Sequence, residues 1–118
     1  MMRRTARTTI AHAVTGITYQ GKPVTVSDGV PRPGDAPSPS IVVVYTGATD
    51  TDLTINVELY VRGSDVGAQD VLLDVATKID EKLAGAGFGP PGEQVTYASD
   101  LDAWVCVFPV MYPRTDLF

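Results

Sequence analysis

Three stretches of this chain predict an α+β fold: a single mixed, mostly antiparallel sheet of about five to six strands packed by two helices, with a long proline-rich loop. Leu53 to Arg62 alternates apolar with polar residues, Ala68 to Leu83 carries apolar residues at helical spacing, and Ala103 to Tyr112 is apolar on both faces. The 118 residues are read as one domain over 1–118, enough chain to bury about two-thirds of its unfolded surface around one core.

From the N-terminus, Ala6, Ile10, Ala13 and Val14 recur at helical spacing within 4–15, and Gly16 supplies a stop, so a first helix is expected there. At about 100° per residue, Arg3, Arg4 and Arg7 share one broad side of that helix beside the apolar stripe. A solvated basic face is the ordinary reading of them, and contact with an acidic neighbour is the sharper one; all three are candidate subunit or partner contacts. Ile17 to Gln20 and Pro23 to Ser27 flank Gly21, with Ile17, Tyr19, Val24 and Val26 alternating, as two short strands about a turn. Pro23 has no N–H to give and suits an edge strand. Residues 28–39 read DGVPRPGDAPSP, which excludes regular secondary structure and predicts a loop or arm, with Arg32 in it a further candidate contact.

Ser40 to Tyr45 (SIVVVY) predicts a central strand covered on both faces, and Thr46 to Asp52 supplies hairpin-turn chemistry. In the next strand Leu53, Ile55, Val57, Leu59 and Val61 face the core. Thr54, Asn56, Glu58, Tyr60 and Arg62 face solvent or a partner and are the main candidate contacts. Ser64 or Asp65 caps the second helix, whose apolar stripe is Ala68, Val71, Leu72, Val75, Ile79 and Leu83. Asp74 and Lys78 stand four apart in the favourable order, and Gly85 ends the helix. A short strand at Glu93 to Ala98, a turn at Ser99 to Asp102 and the strand Ala103 to Tyr112 complete the domain, with 113–118 a C-terminal tail able to dock on the domain or on a neighbour. Pro109 calls for a bulge or a change from paired to edge strand. A right-handed crossover makes Leu53 to Arg62 and Ala103 to Tyr112 parallel if they share a sheet, while the strand at Glu93 leaves other pairings open.

Charge and chemistry narrow the function. The formal net charge is −5, and residues 1–12 hold Arg3, Arg4 and Arg7 without an acid, leaving six bases against fourteen acids in the rest. A body of that sign has no footprint for gripping nucleic acid, but it suits a passage through which DNA slides. No apolar run approaches the roughly 18 residues that span a bilayer, and the residues after Met-Met-Arg-Arg make no signal-peptide core, so a soluble chain folding in the cytosol, with no membrane partner, is expected. Cys106, the only cysteine, allows no internal disulfide and no cysteine zinc site; alternating with Trp104 and Phe108, it reads as packing with a raised pKa. His12 falls off the apolar stripe, toward solvent.

The stretch GAGFGPPG (85–92) follows a helix and lacks the Lys-Ser or Lys-Thr pair of a phosphate loop. Asp50 and Asp52 have the spacing of two calcium ligands, yet Leu53 to Val57 supplies no further acid and no central glycine, so a hairpin turn explains them. Asp70, Asp74, Asp80 and Glu81 read as a solvated helix face, not as a carboxylate pair with separated pKa values. No catalytic residue, cofactor or metal is assigned, and the chain reads as a part that assembles and not as an enzyme.

The order of first helix, proline-rich loop, IVVVY strand, INVELYVRG strand, QDVLLDVATKIDEKL helix and a two-sided strand ending FPVMY resembles the small tail terminator or tail-completion proteins of long-tailed bacteriophages. The likeness covers most of the chain in element order and size. It implies a virion protein of the tail or neck, assembled in the host cytoplasm, that forms a hexameric ring on the tail tube protein, halts its polymerisation and meets the head-tail connector protein. DNA then passes through the ring without specific binding. A head-to-tail connector or stopper of the neck is the neighbouring alternative, and a monomeric peptide-binding or adaptor module, with a sheet edge that recruits an extended segment, is the alternative from another class.

Overall fold

The first helix, α1, spans Met2–Ala13 and is held to the domain by Ala6 and Ile10, both fully buried, with Val14 just past its end. These positions recur every four residues, so one stripe meets the sheet while Arg4, Thr5, Thr8, Thr9 and His12 stay exposed. The computed structural model describes residues 2–27, 38–89 and 92–114; the predicted loop at 28–37, with Arg32, and the last four residues of the tail lie outside the described residues.

Thr18–Tyr19 (β1) and Lys22–Pro23 (β2) pair as a two-residue ladder about Gln20 and Gly21, both at positive φ. The expected second strand is thus split: Pro23 ends β2, and Thr25–Ser27 (β3) joins the main sheet parallel to Ser40–Ala48 (β4). The main sheet is mixed and five-stranded, in the order β3-β4-β5-β7-β6, where β5 is Asp52–Arg62, β6 is Gln94–Ala98 and β7 is Ala103–Pro113. The second helix, α2, is Val66–Gly85. Both helices lie on one face, α1 over β4 and β5, α2 over β5 and β7. The α+β architecture follows from this: two helices on one side of a largely antiparallel sheet.

Two expectations need correction. The SIVVVY segment is an interior strand, between β3 and β5, but β5 occupies the middle, and β4 is buried on both faces only from Ser40 to Val43, becoming half-exposed beyond. It also runs on to Ala48, through a register irregularity between Tyr45 and Gly47, which leaves a tighter turn than Thr46 to Asp52. In that turn the Thr49 hydroxyl accepts from the Asp52 N–H at 3.1 Å, and the Thr51 hydroxyl donates to the Asp52 carboxylate at 2.9 Å. Asp52 is therefore turn chemistry.

β5 and β7 are antiparallel over their full length, Asp52 opposite Pro113 through Arg62 opposite Ala103. The crossover through α2 instead joins β5 to β6, which run the same way with β7 between them, so the strand at Glu93 takes the parallel place. Pro109 causes no register shift against β5, where it faces Asn56, and pairing with β6 ends at Val107, so β7 becomes an edge before the proline is reached.

The core is Ile41, Val43, Leu53, Ile55, Val57, Leu59, Val61, Cys106, Phe108 and Val110 from the sheet against Ala6, Ile10, Leu72, Val75, Ala76, Ile79 and Leu83 from the helices. Gly63, at φ +112, makes the turn into α2; a Cβ there would stand 3.2 Å from that of Ala68. Asp65 is the cap, its carboxylate accepting from the Ala68 N–H at 2.9 Å. Asp65→Ala is expected to cost about 1 kcal/mol in urea unfolding, whereas Ser64→Ala costs little. Lys78 does not pair with Asp74; its Nζ donates to the Thr18 carbonyl at 2.6 Å and ties α2 to β1.

Candidate interaction face of the sheet

Strand alternation sends every second residue of the sheet away from both helices, and among the described residues no helix covers that side. Thr54, Asn56, Glu58, Tyr60 and Arg62 lie along its middle, brought onto one face as predicted; all are half-buried except Arg62, which is exposed. Opposite them on β7 stand Met111, Pro109, Val107, Val105 and Ala103 in that order, and on β4 Val44, Val42 and Ser40 face Asn56, Glu58 and Tyr60. The face is therefore a polar ridge between two apolar rows. Met111 is 49% exposed and Pro109 is exposed, so the β7 row is open to a partner at its far end.

The ridge is internally ordered. The Tyr60 hydroxyl donates to Glu58 Oε1 at 2.8 Å, and burial, that hydrogen bond and the negative charges of Glu58 and Asp100 hold the phenol well above its ordinary pKa. Tyr60 thus stays protonated and a donor throughout the physiological range. The Thr54 hydroxyl points to Met111 Sδ at 3.6 Å, and the Arg62 N–H donates to Ser38 Oγ at 2.9 Å. Ser40 Oγ, buried beside Tyr60, has no hydrogen-bond partner. At the Arg62 end an open cleft of about 520 Å³ is lined by Tyr19, Lys22, Pro39, Arg62 and Asp65 among others.

The three arginines of α1 sit on the opposite side of the domain from this face. Arg3 Nε donates to the Tyr45 hydroxyl at 3.2 Å, Arg4 is exposed, and Arg7 is half-buried with its Nε shielded and unpartnered. The predicted contacts therefore form two surfaces, with Arg32 outside the described residues. The sequence shows both flanking strands to be apolar on two faces, but not that they border the ridge. The signal of the β7 row is the odd-numbered register of Ala103 to Met111, which keeps apolar residues on the side that β5 makes polar.

His12 is exposed, and Cys106 lies fully buried on the core face, its Sγ 3.4 Å from Glu93 Oε2. Burial first, and then the Glu93 carboxylate, push that thiol up to about 12, so it is inert at neutral pH. Partial burial, and secondly the charge of Glu93, raise the pKa of Asp80. The folded state then holds this proton more tightly than the unfolded chain, so its contribution to stability falls as pH rises through the carboxylate range and the penalty is complete above the folded-state pKa. Asp80→Asn is expected to raise the Tm slightly at pH 7, and the gain should vanish below the ordinary carboxylate range. Among the described residues no group of three or more His, Cys, Asp or Glu side chains is placed to hold a metal ion.

No protein-family model matches this chain, and no curated protein sequence matches it.

Proposed function

We propose that this chain is a structural virion protein that forms a ring capping a phage tail tube, stops its polymerisation and presents an interface for head-tail joining. The observation that carries the reading is the one-sided sheet: helices cover one face, while the other sets a hydrogen-bonded polar ridge between apolar rows, with Pro109 and Met111 exposed at one end. Such a face is a surface for contact. The element order on which the resemblance to tail terminators rests, helix, two strands, helix and a two-sided strand, is consistent with it. The acidic body adds support, because genome must slide through such a ring without sticking.

In this reading the open face meets the tube or the head connector, and the ring is made by other surfaces. The test adds the purified protein to polymerising tube protein of the phage that encodes it and follows tube length by negative-stain microscopy. Tubes that stop growing and carry a cap at one end are expected. Elongation at an unchanged rate, with the protein absent from tube ends, contradicts the proposal.

A further inference from the structure

We propose that copies of this chain associate head to tail, the basic β3 edge of one against the acidic β6 edge of the next; this names the subunit contact of the ring and rests on that reading. The fold divides charge between its two edges. Residues 1–27, which build α1, β1, β2 and β3, carry Arg3, Arg4, Arg7 and Lys22 and no acid. Residues 86–113, which build β6, β7 and their links, carry Glu93, Asp100 and Asp102 and no base. The strand order β3-β4-β5-β7-β6 sets β3 and β6 on opposite edges of one sheet. The second helix sharpens the division. Its Lys78 reaches the Thr18 carbonyl and Lys82 Nζ stands 3.7 Å from where a Cβ of Gly16 would lie, both on the α1 side, whereas Asp80 is near enough to Glu93 for their charges to repel.

Along the strands, the charges of the two edges run in the same order. Arg3 bonds Tyr45, toward the β4–β5 turn, while Lys22 borders the cleft at the Arg62 end. On the far edge Glu93 precedes Gln94, which is level with Val107 and Glu58, and Asp100 follows Ala98, which is level with Ala103 and Arg62. Rotation about an axis roughly along the strands therefore carries Arg3 and Arg4 toward Glu93 of the next copy and Lys22 toward its Asp100. A two-fold pairing of like edges would instead set base on base or acid on acid. Opposite charges on non-identical surfaces make a heterologous contact, the kind that closes into a ring when its rotation permits. The β6 edge is also unguarded: Gln94 to Ala98 holds neither lysine nor proline, and Tyr97 is 38% exposed.

The test is light scattering and sedimentation of the full chain over a salt series, with two variants. Arg4→Glu/Lys22→Glu leaves two bases and two acids in residues 1–27, and Gln94→Lys/Asp100→Lys leaves two acids and two bases in residues 86–113, so each cancels the net charge of one edge; all four side chains are exposed. Wild-type protein is expected to assemble at low salt and to dissociate toward 1 M, where the screening length falls to about 3 Å. Each variant alone should self-associate at least roughly tenfold more weakly at an unchanged Tm, and an equimolar mixture should recover assembly, because each substituted position then meets the opposite charge. Wild-type monomer at every salt concentration, assembly indifferent to both variants, or two folded variants whose mixture stays monomeric would each overturn the proposal. Assembly indifferent to both variants rejects these edges alone, whereas failure of the tube-capping reading shows separately, as tubes that elongate unchecked.

Discussion

Phe108→Ala is expected to lower the stability of the domain by about 3–5 kcal/mol, the largest loss from a single truncation in this chain. Phe108 is the largest of the fully buried side chains, on the core face of β7, opposite Val57 of the central strand and between Cys106 and Val110. Both neighbouring strands are backbone-paired at this level or close to it, so the backbone cannot collapse into the space and a cavity remains. Domains of this size are stable by about 5–15 kcal/mol, so the variant should melt far below wild type or fail to accumulate. Urea unfolding at constant slope measures the loss; a cost below about 1 kcal/mol would mean that helix and sheet close over the site. Phe108→Leu, which keeps most of the volume, should lose much less.

The second large effect is functional. Asn56→Lys combined with Met111→Lys places two cations on the open face, at positions that are half-buried and exposed in the single chain, so the fold should persist. If this face docks on a tail tube or connector, both charges become buried without partners, at several kcal/mol. Capping should then weaken by at least about a hundredfold, since each 1.4 kcal/mol is a factor of ten. Because the open face and the sheet edges are different surfaces, ring assembly should be unchanged. Tube-capping titrations at matched protein concentration separate these results, and full capping by the variant would move the contact away from this face.

How far the fold could be read ahead depended on how much of each pattern is local. Leu53 to Val61 alternates without interruption, so β5, its core face and its polar ridge follow from period two alone. The stripe of α2 and a cap at Ser64 or Asp65 are equally plain, because spacing and capping act within one or two turns, and the structure selects Asp65. Pairing partners are not local. Nothing in Thr25 to Ser27 specifies a parallel bond to β4, and nothing in Ala103 to Tyr112 says that β7 will enter between β5 and β6. Pro109 calls for a bulge or a change to an edge strand, and what decides for the edge, the end of β6 at Val107, is a tertiary fact.

The candidate face was visible by half. The polar residues of β5 announce an outward side, but the apolar rows that flank them belong to strands whose two faces look alike in sequence. Arg3, Arg4 and Arg7 lie on α1 beside its stripe, yet the significance of their charge emerges only once α1 packs over β4 and β5, on the β3 side of a sheet whose other edge carries Glu93 and Asp100. Lys78 shows the opposite case: an attractive local pair with Asp74 gives way to a backbone carbonyl on β1 that only the fold brings within 2.6 Å.

The measurement that tests the central claim most directly is negative-stain imaging with light scattering across a concentration series, with and without tail tube protein. Closed rings of one size, free in solution or seated on tube ends, are the predicted result. A protein that stays monomeric at every concentration and leaves tube ends bare would contradict the account.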